Sequence, residues 1–138
     1  CRSVAAEYIF KDLLNKLGIA NEFVVISRAT SLEEIGNDIY PPMKNELRKH
    51  NVSFIRHYAT RISYEELSSF DLIYYFDSNN LYNLKRLFPN HDFKNVAPIS
   101  TNEIEDPWYK GRFSYVYEEI YLSCLNILKS LHINVDSL

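Results

Sequence analysis

The sequence predicts an α/β fold, an open parallel sheet covered by helices on both faces. Three observations carry that prediction. Stretches with helical periodicity alternate along the chain with short β-branched or aromatic runs. Those runs suit strands buried on both faces. No linker, internal repeat or low-complexity tract separates them, so residues 1–138 read as a single domain large enough to bury its own core.

Each element has its own warrant. Over residues 3–17, Ala5, Ile9, Leu13 and Leu17 recur at every fourth position on one helical face, and Gly18 supplies the stop. NEFVVIS (21–27) reads as a short buried strand, ended by the polar RATS. In IYPPMKNELRKHN (39–51) the prolines stand where a helix starts and helix formers follow. In ISYEELSSFDLIYYFD (62–77), Ser63 and Glu66 have the spacing of a capping box and open a short helix that leads into a strand over 72–76. SNNLYNLKRLFP (78–89) reads as a helix that Pro89 ends, and NVAPIS (95–100) as a short strand. Over 113–132, Val116, Ile120, Cys124, Ile127 and Leu131 form one stripe, which predicts a long helix packed on the sheet.

Such sheets bind ligands beyond the carboxyl ends of their strands, where the strand order reverses. The loops at those ends are 28–37, 77–80 and 100–112, and the opening CRS joins them because it directly precedes the first helix. In a flavodoxin-like order the first strand is central, and this sequence places no strand ahead of its first helix. The expected architecture is a flavodoxin-like open parallel sheet with helices on both faces, here missing the first central strand.

Composition narrows the partners. With 46% hydrophobic and 24% charged residues, the chain is neither disordered nor collagen-like. A net charge of -3 exerts no general pull on nucleic acid or an anionic membrane, so any anion is held by a local site. No apolar run reaches the roughly 20 residues of a membrane span, and no signal peptide is visible. Cys1 and Cys124 make neither a disulfide framework nor a metal-ligand cluster. The expectations are a cytoplasmic protein with no metal, no cofactor, no nucleic-acid partner and no membrane partner.

The loops carry chemistry of one kind. Arg2 is a planar, always-charged donor fork at a helix N-terminus, where backbone N–H groups already favour an anion, and the pair suits a phosphate. IEDPWYKG (104–111) places Asp106 before a proline that fixes the backbone, then Trp108 and Tyr109 side by side. A carboxyl there can protonate a leaving oxygen, and two aromatics can wall a slot for a flat ring. Taken singly, Asp-Pro is ordinarily a turn and an arginine at a helix start a solvated charge.

Together these segments resemble the low-molecular-weight protein tyrosine phosphatases. That family's active-site loop reads C-x5-R-S, usually C-x-G-N-x-C-R-S, and runs into the first helix. CRSVAAEYIF is similar to its tail, with Cys1 at the second cysteine, Arg2 at the arginine and Ser3 at the serine. SRATSLEEIGN resembles the S-A-x-T-S stretch, HYATRISYEELSSFDLIYYFDSNNLYNL the H-x-A-R-Q-I segment with its following strand and D-x-S-N loop, and IEDPWYKG the D-P-[YW]-Y acid loop.

The resemblance implies hydrolysis of a phosphotyrosine protein or small aryl phosphate through a phosphocysteine, with no metal. Arg2 and Ser3 would hold the phosphoryl oxygens, Asp106 act as general acid and then base, and Trp108 and Tyr109 line the substrate slot. His57 matches a histidine that supports the phosphate loop, and Cys1 would guard the nucleophile on oxidation. The pattern puts the nucleophilic cysteine five residues ahead of Cys1, so residues 1–138 are expected to be inactive alone, with a homodimer as one way to fill the sheet. Three positions depart from the family. Glu33 stands where relatives carry a rim aromatic, Asp38 replaces a proline, and the tyrosine pair of the acid loop is Trp108 and Tyr109. Asp77 is expected to cap the helix after the third strand, and Cys124 to be a core residue. Two other readings stay open, a non-catalytic phosphate-binding or interaction module and an arsenate reductase, although the latter's two relay cysteines are missing from FDSNNLYNLKRLFPNHDF.

Overall fold

In the computed structural model every residue except Glu34 is described. The chain forms α1 (Arg2–Lys16), a 3₁₀ turn (Ala20–Glu22), α2 (Pro41–Lys49), α3 (Tyr64–Ser69), β1 (Ile73–Tyr75), α4 (Ser78–Leu87), β2 (Val96–Pro98), α5 (Pro107–Lys110) and α6 (Phe113–Ser130). β1 and β2 pair in parallel, Ile73 opposite Val96 and Tyr75 opposite Pro98, with α4 as the crossover. A parallel pair needs such a crossover, so this β–α–β unit is the α/β core that the alternating pattern announces.

Local chemistry sets the element ends. The Ser63 side chain accepts from the Glu66 N–H while the Glu66 carboxylate accepts from the Ser63 N–H, closing the capping box of α3. Asp77 and Asn80 make the same reciprocal pair at the start of α4. Pro41 and Pro42 occupy the first turn of α2, where no N–H is needed. Asp106 caps α5 through the Trp108 N–H, and Gly111 ends that helix at φ 69°, a left-handed geometry glycine adopts without strain. α5 falls within a stretch read from sequence only as a loop.

α1, α2 and α6 bury most of the core. Ala5, Ile9 and Leu13 of α1 meet Val116, Ile120, Cys124 and Leu128 of α6, with Met43 and Leu47 of α2 closing one side. The α6 stripe therefore packs first on α1 and α2, and not mainly on the sheet as its sequence suggests. Its outer positions are less covered, since Ile127 is half-buried and Leu131 exposed.

One expected strand is absent. The NEFVVIS segment begins with the 3₁₀ turn and runs on through Ser27 without a ladder partner, and Val24 is 77% exposed. Its nearest β contact is an isolated parallel bridge between Ala29 and Arg61. β-branched residues favour an extended chain, but a strand exists only through a neighbour's hydrogen bonds. Here the segment faces a cavity of about 840 Å³, with β1 also among its walls.

Candidate active site

The cavity brings the two ends of the sequence together. Cys1, Arg2 and Ser3, at the start of α1, line it along with Asp106 from the far end of the chain. The reason is a set of contacts made by Arg2. Its Nη1 donates to the carbonyl of Ile104 at 2.6 Å and lies 2.9 Å from Oδ2 of Asp77, while the guanidinium sits 5.3 Å from the centre of the Phe76 ring. Arg2 is thus tied to the backbone two residues before Asp106. Ile104 is 1% exposed, so the loop is anchored in the core at the point where Arg2 grips it.

Asp77 does two things at once. Oδ1 accepts from the Asn80 N–H at 3.0 Å as the helix cap expected from sequence, and Oδ2 pairs with Arg2. The sequence reading missed the second role. The neighbouring 100–104 loop is fastened to the same helix start, because Glu103 accepts from the Ser78 N–H at 2.6 Å.

Asp106 is partly exposed, with Oδ1 occupied by the Trp108 N–H at 3.0 Å. A carboxyl held through one oxygen keeps the other for proton transfer. Trp108 is 56% exposed and Tyr109 83% exposed, and neither is among the residues lining the cavity. Trp108 packs on Tyr40, ring centres 4.5 Å apart, and Tyr40 stacks in turn on Phe113 at 5.9 Å. Tyr40 escaped the sequence reading because it stands directly before the α2 prolines and looks like a helix cap. Glu33 lies on an exposed turn and is likewise not among the cavity residues.

Paired charges at Glu7 and Glu66 line the cavity. Glu7, 9% exposed, takes hydrogen bonds from the Ser27 hydroxyl at 2.7 Å and Lys11 Nζ at 2.6 Å. Arg28 chelates Glu66 at 2.9 and 3.1 Å from Nε. Burial raises the Glu66 pKa, but the Arg28 guanidinium and the Ser63 N–H outweigh it and hold the carboxyl below its ordinary value. Asp38 is lowered further by Lys44 and the backbone N–H groups of His57 and Ile39. The His57 N–H bond, 2.8 Å long, pins Asp38 to the backbone of His57.

His57 is half-buried, and burial first of all pushes its pKa below 6.5, against the pull of Glu7 and Asp38. The sign follows. Below pH 6.5 the unfolded chain takes up a proton that the folded ring resists, so this group's contribution to stability is intact above 6.5 and declines as pH falls toward the folded value. Urea denaturation at stepped pH is expected to show that decline, and His57→Gln to flatten it. An unchanged profile in the variant would assign the decline elsewhere.

The two cysteines differ in their surroundings. Cys124 is 1% exposed in the core, and burial pushes its thiol up to about 12. Cys1 is exposed at the N-cap of α1 and adjoins Arg2 in sequence, so no loop separates the two to wrap an anion. Among the described residues no group of acidic, histidine or cysteine side chains is arranged to hold a metal ion, and no helix is long and apolar enough to cross a membrane.

Comparison with known proteins bears on this arrangement. The family model for low molecular weight phosphotyrosine protein phosphatase matches residues 1–137. The chain is 30% identical over 141 residues to the low molecular weight protein-tyrosine-phosphatase YfkJ of Bacillus subtilis, covering 95% of this chain and 88% of that one. It is 30% identical over 144 residues to the low molecular weight phosphotyrosine protein phosphatase of Rattus norvegicus, covering 96% and 89%. The crystal structure of YfkJ matches with a TM-score of 0.89 at 28% identity, over 96% of this chain and 87% of that chain. That of the low molecular weight protein tyrosine phosphatase SP-PTP from Streptococcus pyogenes matches with a TM-score of 0.88 at 26% identity, over 95% and 85%.

Proposed function

We propose, from the premise that the chain belongs to the low molecular weight phosphotyrosine protein phosphatase family, that its cavity hydrolyses phosphotyrosine or a small aryl phosphate through a phosphocysteine. The observation that carries this reading is the bond from Arg2 to the Ile104 carbonyl, which sets a guanidinium at a helix N-terminus beside the loop that bears a carboxylic acid. Arg2 and Asp106 both line the cavity, which supports giving the first the anion and the second the proton.

The chemistry divides into two displacements. A thiolate attacks phosphorus as the bond to the aryl oxygen breaks, and Asp106 gives its proton to that oxygen. Water then attacks the phosphocysteine while Asp106 takes a proton from it, which releases phosphate and restores the thiolate. Arg2 and the N–H groups at the start of α1 stabilise the charge on the equatorial oxygens in both steps. Ser3 stands in the first turn of α1 beside them. Trp108, two residues after Asp106 and packed on Tyr40, offers one indole face on which an aryl group can lie. His57 and Cys1 support the loop.

In this family pattern the thiolate stands five residues ahead of the Cys1 position. Residues 1–138 alone are therefore expected to give no turnover of para-nitrophenyl phosphate, and a polypeptide carrying a complete C-x5-R loop that ends at Arg2 to give it. Turnover by residues 1–138 alone would overturn the assignment of the nucleophile. Its absence from the complete-loop polypeptide would overturn the proposed activity.

A further inference from the structure

The loop that carries Asp106 is closed at its base by an ion pair. Glu105, the residue immediately before Asp106, accepts at Oε1 from Nε of Arg112 at 2.6 Å and lies 2.6 Å from Arg112 Nη2. Between them run Asp106, the single turn of α5 and the left-handed Gly111. Lys110 Nζ approaches the other oxygen of Glu105 at 3.9 Å.

Arg112 stands directly before Phe113, the first residue of α6, whose Val116, Ile120 and Leu128 are fully buried. Its guanidinium also sits 4.5 Å from the centre of the Tyr115 ring. One end of the pair is thus rooted in the longest helix of the molecule, and the other adjoins the residue that must meet the leaving oxygen. Without the pair, the loop's short-range ties between 105 and 112 are the single turn of α5, the Trp108 N–H on Asp106 and the longer Lys110–Glu105 approach.

We propose that Glu105 and Arg112 are positioning residues for Asp106, their ion pair holding the carboxyl at the angle from which it protonates the leaving oxygen. This rests on the reading of Asp106 as the general acid. The Glu105 side chain is 21% exposed and that of Arg112 55%, so the pair belongs to the solvent-screened class. Its effect is a several-fold change, roughly three- to fivefold, and not a collapse. The effect falls on substrates that need the proton most. It also weakens as salt screens the pair.

The protein carries its own reporter. Trp108 is the sole tryptophan of the sequence, lies inside the clamped loop and is packed on Tyr40. The test compares the unsubstituted protein, Arg112→Ala and Glu105→Gln. Acrylamide quenching of Trp108 fluorescence, measured on residues 1–138, reads the loop without any catalysis. On the complete-loop polypeptide, the ratio of kcat for phenyl phosphate to kcat for para-nitrophenyl phosphate reads proton donation, because phenolate is much the poorer leaving group.

Both variants are expected to raise the quenching constant about twofold and to lower the kcat ratio about three- to fivefold, with KM little changed. High salt is expected to bring the unsubstituted protein toward the variants. An unchanged kcat ratio in both variants overturns the proposal, whatever the quenching shows. A complete-loop polypeptide with no turnover at all overturns the general-acid reading and this inference with it. The two failures are distinct, since the first requires an active unsubstituted enzyme.

Discussion

Replacing Arg2 with lysine in the complete-loop polypeptide is expected to lower kcat/KM for para-nitrophenyl phosphate by roughly 10³-fold, although the charge is kept. A phosphoryl group in transfer spreads its charge over three equatorial oxygens, and a planar fork can meet two of them at once where an ammonium meets one. The polar contacts of Arg2 to Ile104 and Asp77 both use Nη1, so its Nε–Nη2 edge is not spent on either of them. A lysine must choose between the Ile104 carbonyl, the Asp77 carboxylate and the phosphoryl group. The fold is expected to survive, because Asp77 still caps α4 through Asn80. Isothermal titration with inorganic phosphate separates binding from chemistry. A variant that binds phosphate and turns over within a few-fold of the unsubstituted enzyme would show that Arg2 is a structural strut between α1 and the acid loop, and no part of the anion site.

What was legible in the sequence follows the range of the physics. α1 and α6 are readable from their periodicity, and α3 and α4 from caps that lie within a few residues, the Ser63–Glu66 and Asp77–Asn80 boxes. Segment 21–27 misled for the opposite reason. Its valines and isoleucine are chosen for an extended chain, but whether that chain is a strand depends on a partner elsewhere. α5 is concealed in the acid loop, yet Asp106 followed by Pro107 is a cap followed by a first-turn proline, and a first-turn proline also opens α2.

The site was half legible. Arg2 and Asp106 were named from residue type and context, and they share a cavity. The contact that joins them spans 102 positions, and nothing in either segment announces it. Asp77 was read only as a cap because a local pattern accounts for one oxygen and is silent about the other. Trp108 and Tyr109 were read as a pair of walls, but adjacent residues in a helical turn point to different sides. Trp108 found Tyr40 as its neighbour, and Tyr109 stayed 83% exposed.

Asp106→Asn is expected to separate the acid's chemistry from its structural duty. Asparagine caps a helix about as well as aspartate, so the Trp108 N–H keeps its acceptor and α5 its start. What is lost is the proton. For phenyl phosphate, whose leaving oxygen is strongly basic, kcat is expected to fall roughly 10²- to 10³-fold. For para-nitrophenyl phosphate the loss is expected to be clearly smaller, because that anion departs with little help. The phosphorylation step is the one that uses this proton, so the loss is expected to fall on that step. Asp106→Ala removes the cap as well and is expected to cost about 1 kcal/mol of stability in addition. Thermal melting of both variants keeps the two effects apart. If Asp106→Asn lowers the two substrates equally, the proton comes from another group, and Asp106 is only the cap of α5.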